Sequence, residues 1–349
     1  MRQLVILLLL IPLSVHSQFQ EIEDSIRDVI RSTENDSIRY RSRQELALHF
    51  KSQNEYTKCI REYNRYLAGC EKLSYPQLLK DGYSHLGSIY RKVGDYGMAM
   101  ECYDKSYALA EKDNDSIFLA ECLKDIGYLY YYQDEFEGAL SNFEKGLEIV
   151  TALDSVGEIG KAYNNIAVTL SRLGKPEESL KIHRKALKAR LEVGWIPAIA
   201  GSYNSIGKAF EKLGNIDSSF FYVKKALDVR LKGNDHFNIS QSYRSMAHMY
   251  DLKGELPKAM EYIDKSIENA RAESDVYTLQ ISAKVAYDIY SKTSQKGKAF
   301  EMLELHIHLK DSLKSASNQK AAIKSQYQYA YHQAEIQDSI EDARIKEID

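Results

Sequence analysis

The hydrophobic pattern of this chain repeats every 40 residues. One column of small residues reads Ala47, Gly87, Gly127, Ala167, Gly207 and Ala247, with Tyr287 closing the series. Three positions on, the column is large and apolar: Phe50, Tyr90, Tyr130, Leu170, Phe210, Tyr250, Tyr290. Twelve positions on it is small again: Cys59, Ala99, Ala139, Ser179, Ser219, Ala259, Ala299. A fixed period of this size marks a solenoid, in which each unit buries its apolar face against its neighbours.

Each unit divides into two helices. Tyr83, Leu86 and Tyr90 fall on one helical face; Gly94-Asp95 ends that helix, and Ala99, Tyr103 and Ser106 mark the face of the next. Gly174, Gly214 and Gly254 occupy the same break, where a left-handed helix end suits glycine. Pro176 and Pro257 follow it, at the opening of a helix, where a missing N–H costs least. Asp115, Asp154-Ser155, Asp235 and Asp275 open the next unit, with side chains that accept the orphan N–H groups of a first turn. The small columns let helix axes approach closely. No window alternates with period two, so the pattern predicts an all-α protein of about seven 40-residue helix pairs followed by a C-terminal helix.

The order small-x-x-aromatic, then Gly, then Ala-x-x-x-aromatic-x-x-small, as in Gly87, Tyr90, Gly94, Ala99, Tyr103 and Ser106, resembles the tetratricopeptide repeat. Similar columns cover residues 40–319. Two departures stand out. The period is 40 rather than about 34, implying longer helices of the kind seen in tetratricopeptide sensors and regulators. The seventh unit has Tyr287 in the small column and Ser294 where Gly is usual. The resemblance implies a right-handed α-solenoid whose first helices line a concave groove that takes a peptide or protein, with groove positions three before and one, four and five after the small column.

Three before that column the residues are Gln44, Ser84, Lys124, Asn164, Asn204, Arg244 and Lys284. Asn can bridge the C=O and N–H of a peptide backbone, while Arg244 and Lys284 can take a carboxylate. Lys208 follows Gly207, and Tyr128, Tyr131 and Tyr132 follow Gly127, all at groove positions. An aromatic wall stacks on side chains or sugars; the alternative is a solvated polar face with tyrosines covering the adjacent helix. Asn164, Asn204 and Arg244 are expected to be exposed. The two-carboxylate clamp of chaperone-binding tetratricopeptide proteins is absent: Lys124 is followed at the required spacing by Tyr128, and Gly201 and Ser205 replace the last two cations.

The ends of the chain differ from its body. Arg2 precedes an apolar run from Leu4 to Leu13, and Val15-His16-Ser17 offers a signal-peptidase site before Gln18. About 15 Å of helix is half a bilayer core, so residues 1–17 read as a signal peptide and the mature chain as exported, periplasmic or extracellular, with a helical segment over 18–39. From 320 to 349, Ile323, Tyr327, Ala330 and Ala334 keep 3-4 spacing, which suits a cap on the last repeat or a weak coiled-coil homodimer. The run from Leu309 onward resembles the linker that follows tetratricopeptide repeats in extracytoplasmic bacterial sensors, where it leads to a membrane helix and a histidine kinase, nucleotide cyclase or DNA-binding output. That resemblance implies the input module of a signalling system with a membrane-bound signalling partner. The alternative is a passive periplasmic scaffold for envelope protein assembly.

Composition narrows the chemistry. With 47 Lys and Arg against 50 Asp and Glu there is no cationic surplus for a nucleic-acid partner. Cys59 and Cys70 stand about 16 Å apart on one predicted helix and cannot pair within it. Cys102 and Cys122 are either bridged or free and buried. His306 and His308 are two apart, on different sides of a helix, and there is no CxxC, HExxH or phosphate loop. Neither a metal, a cofactor nor an enzymatic activity is expected.

Overall fold

The computed structural model describes residues 19–73, 75–233 and 238–314. The expected leader 1–17, the cap Asp235 and the tail 320–349 lie outside the described residues. Every regular element among those described is a helix: α1 (19–32), α2 (Asp36–Ser52), α3 (Tyr56–Lys72), α4 (Pro76–Val93), α5 (Tyr96–Lys112), α6 (Ser116–Tyr132), α7 (Phe136–Ala152) and α8 (Val156–Arg172). There follow α9 (Pro176–Val193), α10 (Ile196–Lys212), α11 (Ile216–Lys232), α12 (Ile239–Leu252), α13 (Leu256–Ala272), α14 (Val276–Tyr290) and α15 (296–314). From α2 onward they form seven consecutive pairs, the all-α repeat architecture the pattern predicts.

The turn within each pair has one design. The backbone N–H eight residues after the small column donates to the carbonyl three after it, from Asp95 to Tyr90 (2.9 Å), Glu135 to Tyr130 (3.0 Å), Lys175 to Leu170 (3.0 Å) and Asn215 to Phe210 (2.9 Å). The residue before that donor is left-handed: Gly94 has φ 82° and Gly174 φ 75°. At the same place Asn54 (φ 61°) and Asp134 (φ 60°) fill the role, because their short polar side chains tolerate this conformation. Glycine spacing alone therefore under-reports the turns. In the seventh unit α14 ends at Tyr290, two residues before the other first helices, where Ser294 replaces the glycine.

The chain divides into two compact units. Unit 1 holds, among the described residues, 19–118. Its core is aromatic, with Phe50, Tyr56, Tyr63, Tyr66, Tyr90 and Tyr103 all buried. Gly87 shows why the column must be small: a Cβ there would sit 2.7 Å from the Tyr103 ring. Unit 2, Leu119–Asn318, repeats this with Gly127 under Phe143 and Gly207 under Val223, and places fully buried alanines at 167 and 247. A leucine at either glycine would force the facing ring or branch off its rotamer. Where small positions are serine, the hydroxyl finds a buried acceptor: Ser106 donates to the Lys80 carbonyl (2.8 Å) in unit 1, and in unit 2 Ser266 donates to the Ser240 carbonyl (2.8 Å) and Ser219 to the Met249 sulfur (3.2 Å). Small and polar is thus tolerated at these positions because each of these serine hydroxyls has a partner.

The four cysteines are free and buried, and burial pushes the Cys59 and Cys102 thiols up to about 12, far from a reactive thiolate. Among the described residues no helix is long and apolar enough to cross a membrane.

Candidate functional site

The nine candidate ligand contacts, Lys124, Tyr128, Tyr131, Tyr132, Asn164, Asn204, Lys208, Arg244 and Lys284, lie in unit 2, on its first helices α6, α8, α10, α12 and α14, whereas Gln44 and Ser84 of the same column lie on α2 and α4 of unit 1. Positions four and five after the small column are used up in tying first helices together. The Nε of Arg172 donates to the hydroxyl of Tyr131 at 3.0 Å, with the guanidinium 5.8 Å from that ring. One interval later Lys212 donates to the Ser171 hydroxyl at 2.8 Å, and Lys292 pairs with both Asp251 oxygens at 2.7 Å. Tyr128 donates to Asn165 Oδ1 at 3.0 Å while its ring meets Phe143 edge-on at 5.3 Å. The open aromatic wall is therefore not formed as expected. Tyr128 and Tyr131 are half-buried links between helices, and Tyr132, at 55% exposure, is the most open of the run.

Farther along, the same columns carry unmet polar atoms. Asn204 on α10 is only 6% exposed, and its Oδ1 is buried with no partner in the protein. Arg244 holds the equivalent place on α12, half-buried, with its Nη1 likewise buried and unmatched. The expectation that Asn164, Asn204 and Arg244 would be exposed does not hold: Asn204 is buried and the other two are half-buried. Lys208 sits one turn after Asn204. Its side chain is exposed overall, while desolvation near its ammonium, and then the like charges of Arg244 and Arg230, lower its pKa from the usual lysine range, with Glu211 opposing. Desolvation also lowers Arg244, countered by Tyr277 of α14 and by Asp275, which caps that helix.

The nearest carboxylate on α10 is already engaged. Glu211 and His248 Nε2 lie 2.9 Å apart; the hydrogen bond from His248 holds the Glu211 carboxyl below its ordinary value, and the same bond raises His248. What remains around Asn204 is positive charge in a partly dehydrated place, with one unmatched donor and one unmatched acceptor. Such atoms each cost on the order of 1–3 kcal/mol until a partner arrives.

The other predicted positions differ. Lys124 and Asn164 are half-buried on α6 and α8, whereas Lys284 is exposed and held by Asp288 at 2.5 Å, over the Tyr287 ring. Residue-by-residue reading missed an arginine column, half-buried at Arg190 and buried at Arg230: Arg190 donates to Ser202 (2.8 Å), and Arg230 to Ser242 twelve residues on in the same way. The 40-residue recurrence of both Arg and Ser was the available signal. His183, in the aromatic core column, is 4% exposed, and burial, with Arg190 nearby, lowers it to about 4. Among the described residues no group of three or more His, Cys, Asp or Glu could hold a metal ion.

Residues 81–152, 160–193 and 200–232 match sequence models of the tetratricopeptide repeat. The 43 kDa receptor-associated protein of the synapse from Tetronarce californica is 29% identical over 112 residues, 32% of this chain and only 27% of that protein's length. Aspartyl phosphate phosphatase F from Bacillus subtilis superposes with a TM-score of 0.64 at 16% identity, over 79% of this chain and 71% of that one. A signal transduction ATPase with numerous domains from Pyrococcus horikoshii, which carries a tetratricopeptide repeat sensor, gives 0.63 at 16%, over 88% of this chain and 46% of that one. A Rap protein complexed with competence and sporulation factor gives 0.53 at 18%, over 89% and 96%. At these identities the structural likeness is one of fold.

Proposed function

This chain is a tetratricopeptide-repeat protein, and from that premise we propose that it binds a peptide or protein partner along the first helices of unit 2, a carboxylate of that partner lying at Asn204, Lys208 and Arg244. The observation that carries the reading is the pair of buried atoms without partners, Asn204 Oδ1 and Arg244 Nη1, on the same column of neighbouring repeats. An arginine N–H matched by a carboxylate oxygen, and an amide oxygen matched by a peptide N–H, would satisfy both while offsetting the like-charge strain between Lys208 and Arg244. A folded scaffold of this kind offers binding without chemistry.

In this reading the protein is the input module of a signalling system, exported behind the apolar run Leu4–Leu13 and working with a membrane-bound signalling partner. Intact mass of the mature chain checks export; retention of residues 1–17 removes that part. For the site, partners captured by the native protein are compared with those of a variant carrying Asn204→Ala, Lys208→Ala and Arg244→Ala. Loss of a specific peptide or protein with helicity retained is the expected result. Unchanged capture moves binding off these helices.

A further inference from the structure

Unit 1 carries a second concentration of cations, distinct from the first-helix face of unit 2 and independent of the reading above. Between α2 and α3 lies an open cavity of about 520 Å³ lined by Arg39, Tyr40, Arg43, Arg65, Lys72 and the small residues Ala68 and Gly69. Arg65, Ala68, Gly69 and Lys72 fall on one face of α3 by their spacing, and Arg39 and Arg43 are one turn apart on α2. Among the described residues no carboxylate lines the opening.

The carboxylate that orders it lies underneath. Glu62 is 3% exposed; its Oε2 accepts from Arg43 Nη1 and its Oε1 from Arg65 Nη1, each at 2.8 Å. One buried acid thus fixes two guanidiniums from different helices and leaves most of their N–H groups uncommitted. Arg39 is held in turn by Asp36 and by a bond to the Thr33 carbonyl at 2.6 Å. Three arginines are therefore restrained by two carboxylates, and with Lys72 the opening sets four cations against two acids, a surplus of two positive charges. A buried carboxylate is a costly way to join two helices where apolar side chains would serve, but an efficient way to aim two arginines.

Tyr40 forms the floor. A Cβ at Gly69 would lie 1.9 Å from its ring, so the ring rests directly on the α3 backbone and only glycine permits it. The opening thus combines oriented guanidiniums, an ammonium and an aromatic surface.

We propose that this opening binds a phosphate monoester, its phosphoryl group held by Arg39, Arg43, Arg65 and Lys72 and its organic part lying on Tyr40 and Ala68. A carboxylate carries one charge and two acceptor oxygens, matching one guanidinium fork. A phosphate monoester carries nearly two charges and three acceptor oxygens, matching the surplus of two and the separate donors on two helices. The cavity is far larger than a phosphoryl group, which leaves room for the organic part.

The test is isothermal titration of the purified protein with inorganic phosphate and with phenyl phosphate, at fixed ionic strength against chloride. Both should bind, phenyl phosphate more tightly. Equal affinity would overturn the organic half of the proposal and leave a site for free phosphate; no binding above the chloride control overturns it altogether. Two variants separate an aimed site from a merely positive surface, with circular dichroism confirming the fold. Arg39→Gln with Lys72→Gln, which leaves Glu62 untouched, should weaken binding about 10- to 100-fold. Glu62→Gln raises the local positive charge by one yet should weaken binding about tenfold by releasing Arg43 and Arg65. Equal or tighter binding by Glu62→Gln means that bulk charge attracts the anion and the geometry does not.

Discussion

The α6–α8 and α10–α12 faces of unit 2 are built from the same repeat columns and end in opposite states. On the first, Tyr128 is matched by Asn165 and Tyr131 by Arg172, so the polar tips that reach the surface meet one another. On the second, Glu211 and His248 make the helix-to-helix link while Asn204 and Arg244 keep unmatched buried atoms and Lys208 is crowded by like charge. A saturated face holds repeats together and gains little from a ligand. The unsaturated face is less favourable as folded and gains most when a partner supplies what it lacks. One repeat geometry thus supports a structural seam and a recognition surface, depending on which side chains occupy it.

The sharpest test of this contrast concerns His183, on α9, which packs against both α8 and α10. Its folded pKa of about 4 lies below the ordinary 6.5, so the unfolded chain takes up the proton first as pH falls. Stability should be unaffected above the unfolded value and be lost progressively from about pH 6.5 to about pH 4, on the order of 3 kcal/mol for this buried group. His183→Leu should flatten that limb in urea melts; an unchanged acid limb would place the sensitivity elsewhere.

Next in size, Tyr128→Ala removes a ring packed on Phe143 together with its bond to Asn165, and should destabilise by about 2–3 kcal/mol. Arg244→Met, in the equivalent region of the other face, should leave stability unchanged or raise it by about 1 kcal/mol, because a poorly matched buried charge is replaced by a hydrophobe of similar length. Destabilisation comparable to Tyr128→Ala would show that Arg244 is structural and dissolve the contrast. Paired thermal and denaturant midpoints decide it.

The smallest effect concerns Glu211 and His248. The raised His248 contributes stability that is present below its unfolded value of 6.5 and is lost as pH rises through the higher folded value; the lowered Glu211 contributes stability present above 4.5 and lost as pH falls through its lower folded value. The pair therefore stabilises most between about 4.5 and 6.5. Both side chains are partly exposed, so solvent screening keeps the effect below about 1 kcal/mol. Glu211→Gln should remove this bulge in the pH profile, and a profile that is unchanged within error assigns the link no energetic role.

The repeat itself was legible because burial is repeated: Gly87 under Tyr103 and Gly127 under Phe143 impose the same steric limit 40 residues apart, and a column of small residues records it. The turns were legible where glycine marks the left-handed residue and less so at Asn54 and Asp134, whose composition admits other conformations. The candidate face was legible only as a list of polar positions. Asn164, Asn204, Arg244 and Lys284 occupy one column, yet they range from buried to fully paired at the surface. The cradle of unit 1 left no motif, since Glu62 and Arg43 come from different helices, 19 residues apart.

By itself, then, the sequence determined the helical pairing, its period and the identity of most residues that must be small, because those depend on contacts of the same kind that recur from unit to unit, Tyr287 of the seventh being the departure. Only the tertiary structure decided which polar groups satisfy one another. That choice depends on which polar tips come within hydrogen-bond reach across neighbouring helices, so Tyr131 finds Arg172 in one place while Arg244 Nη1 finds no protein partner in another. Column position fixes where a side chain starts; the length and direction of its neighbours fix whether its last atom is met.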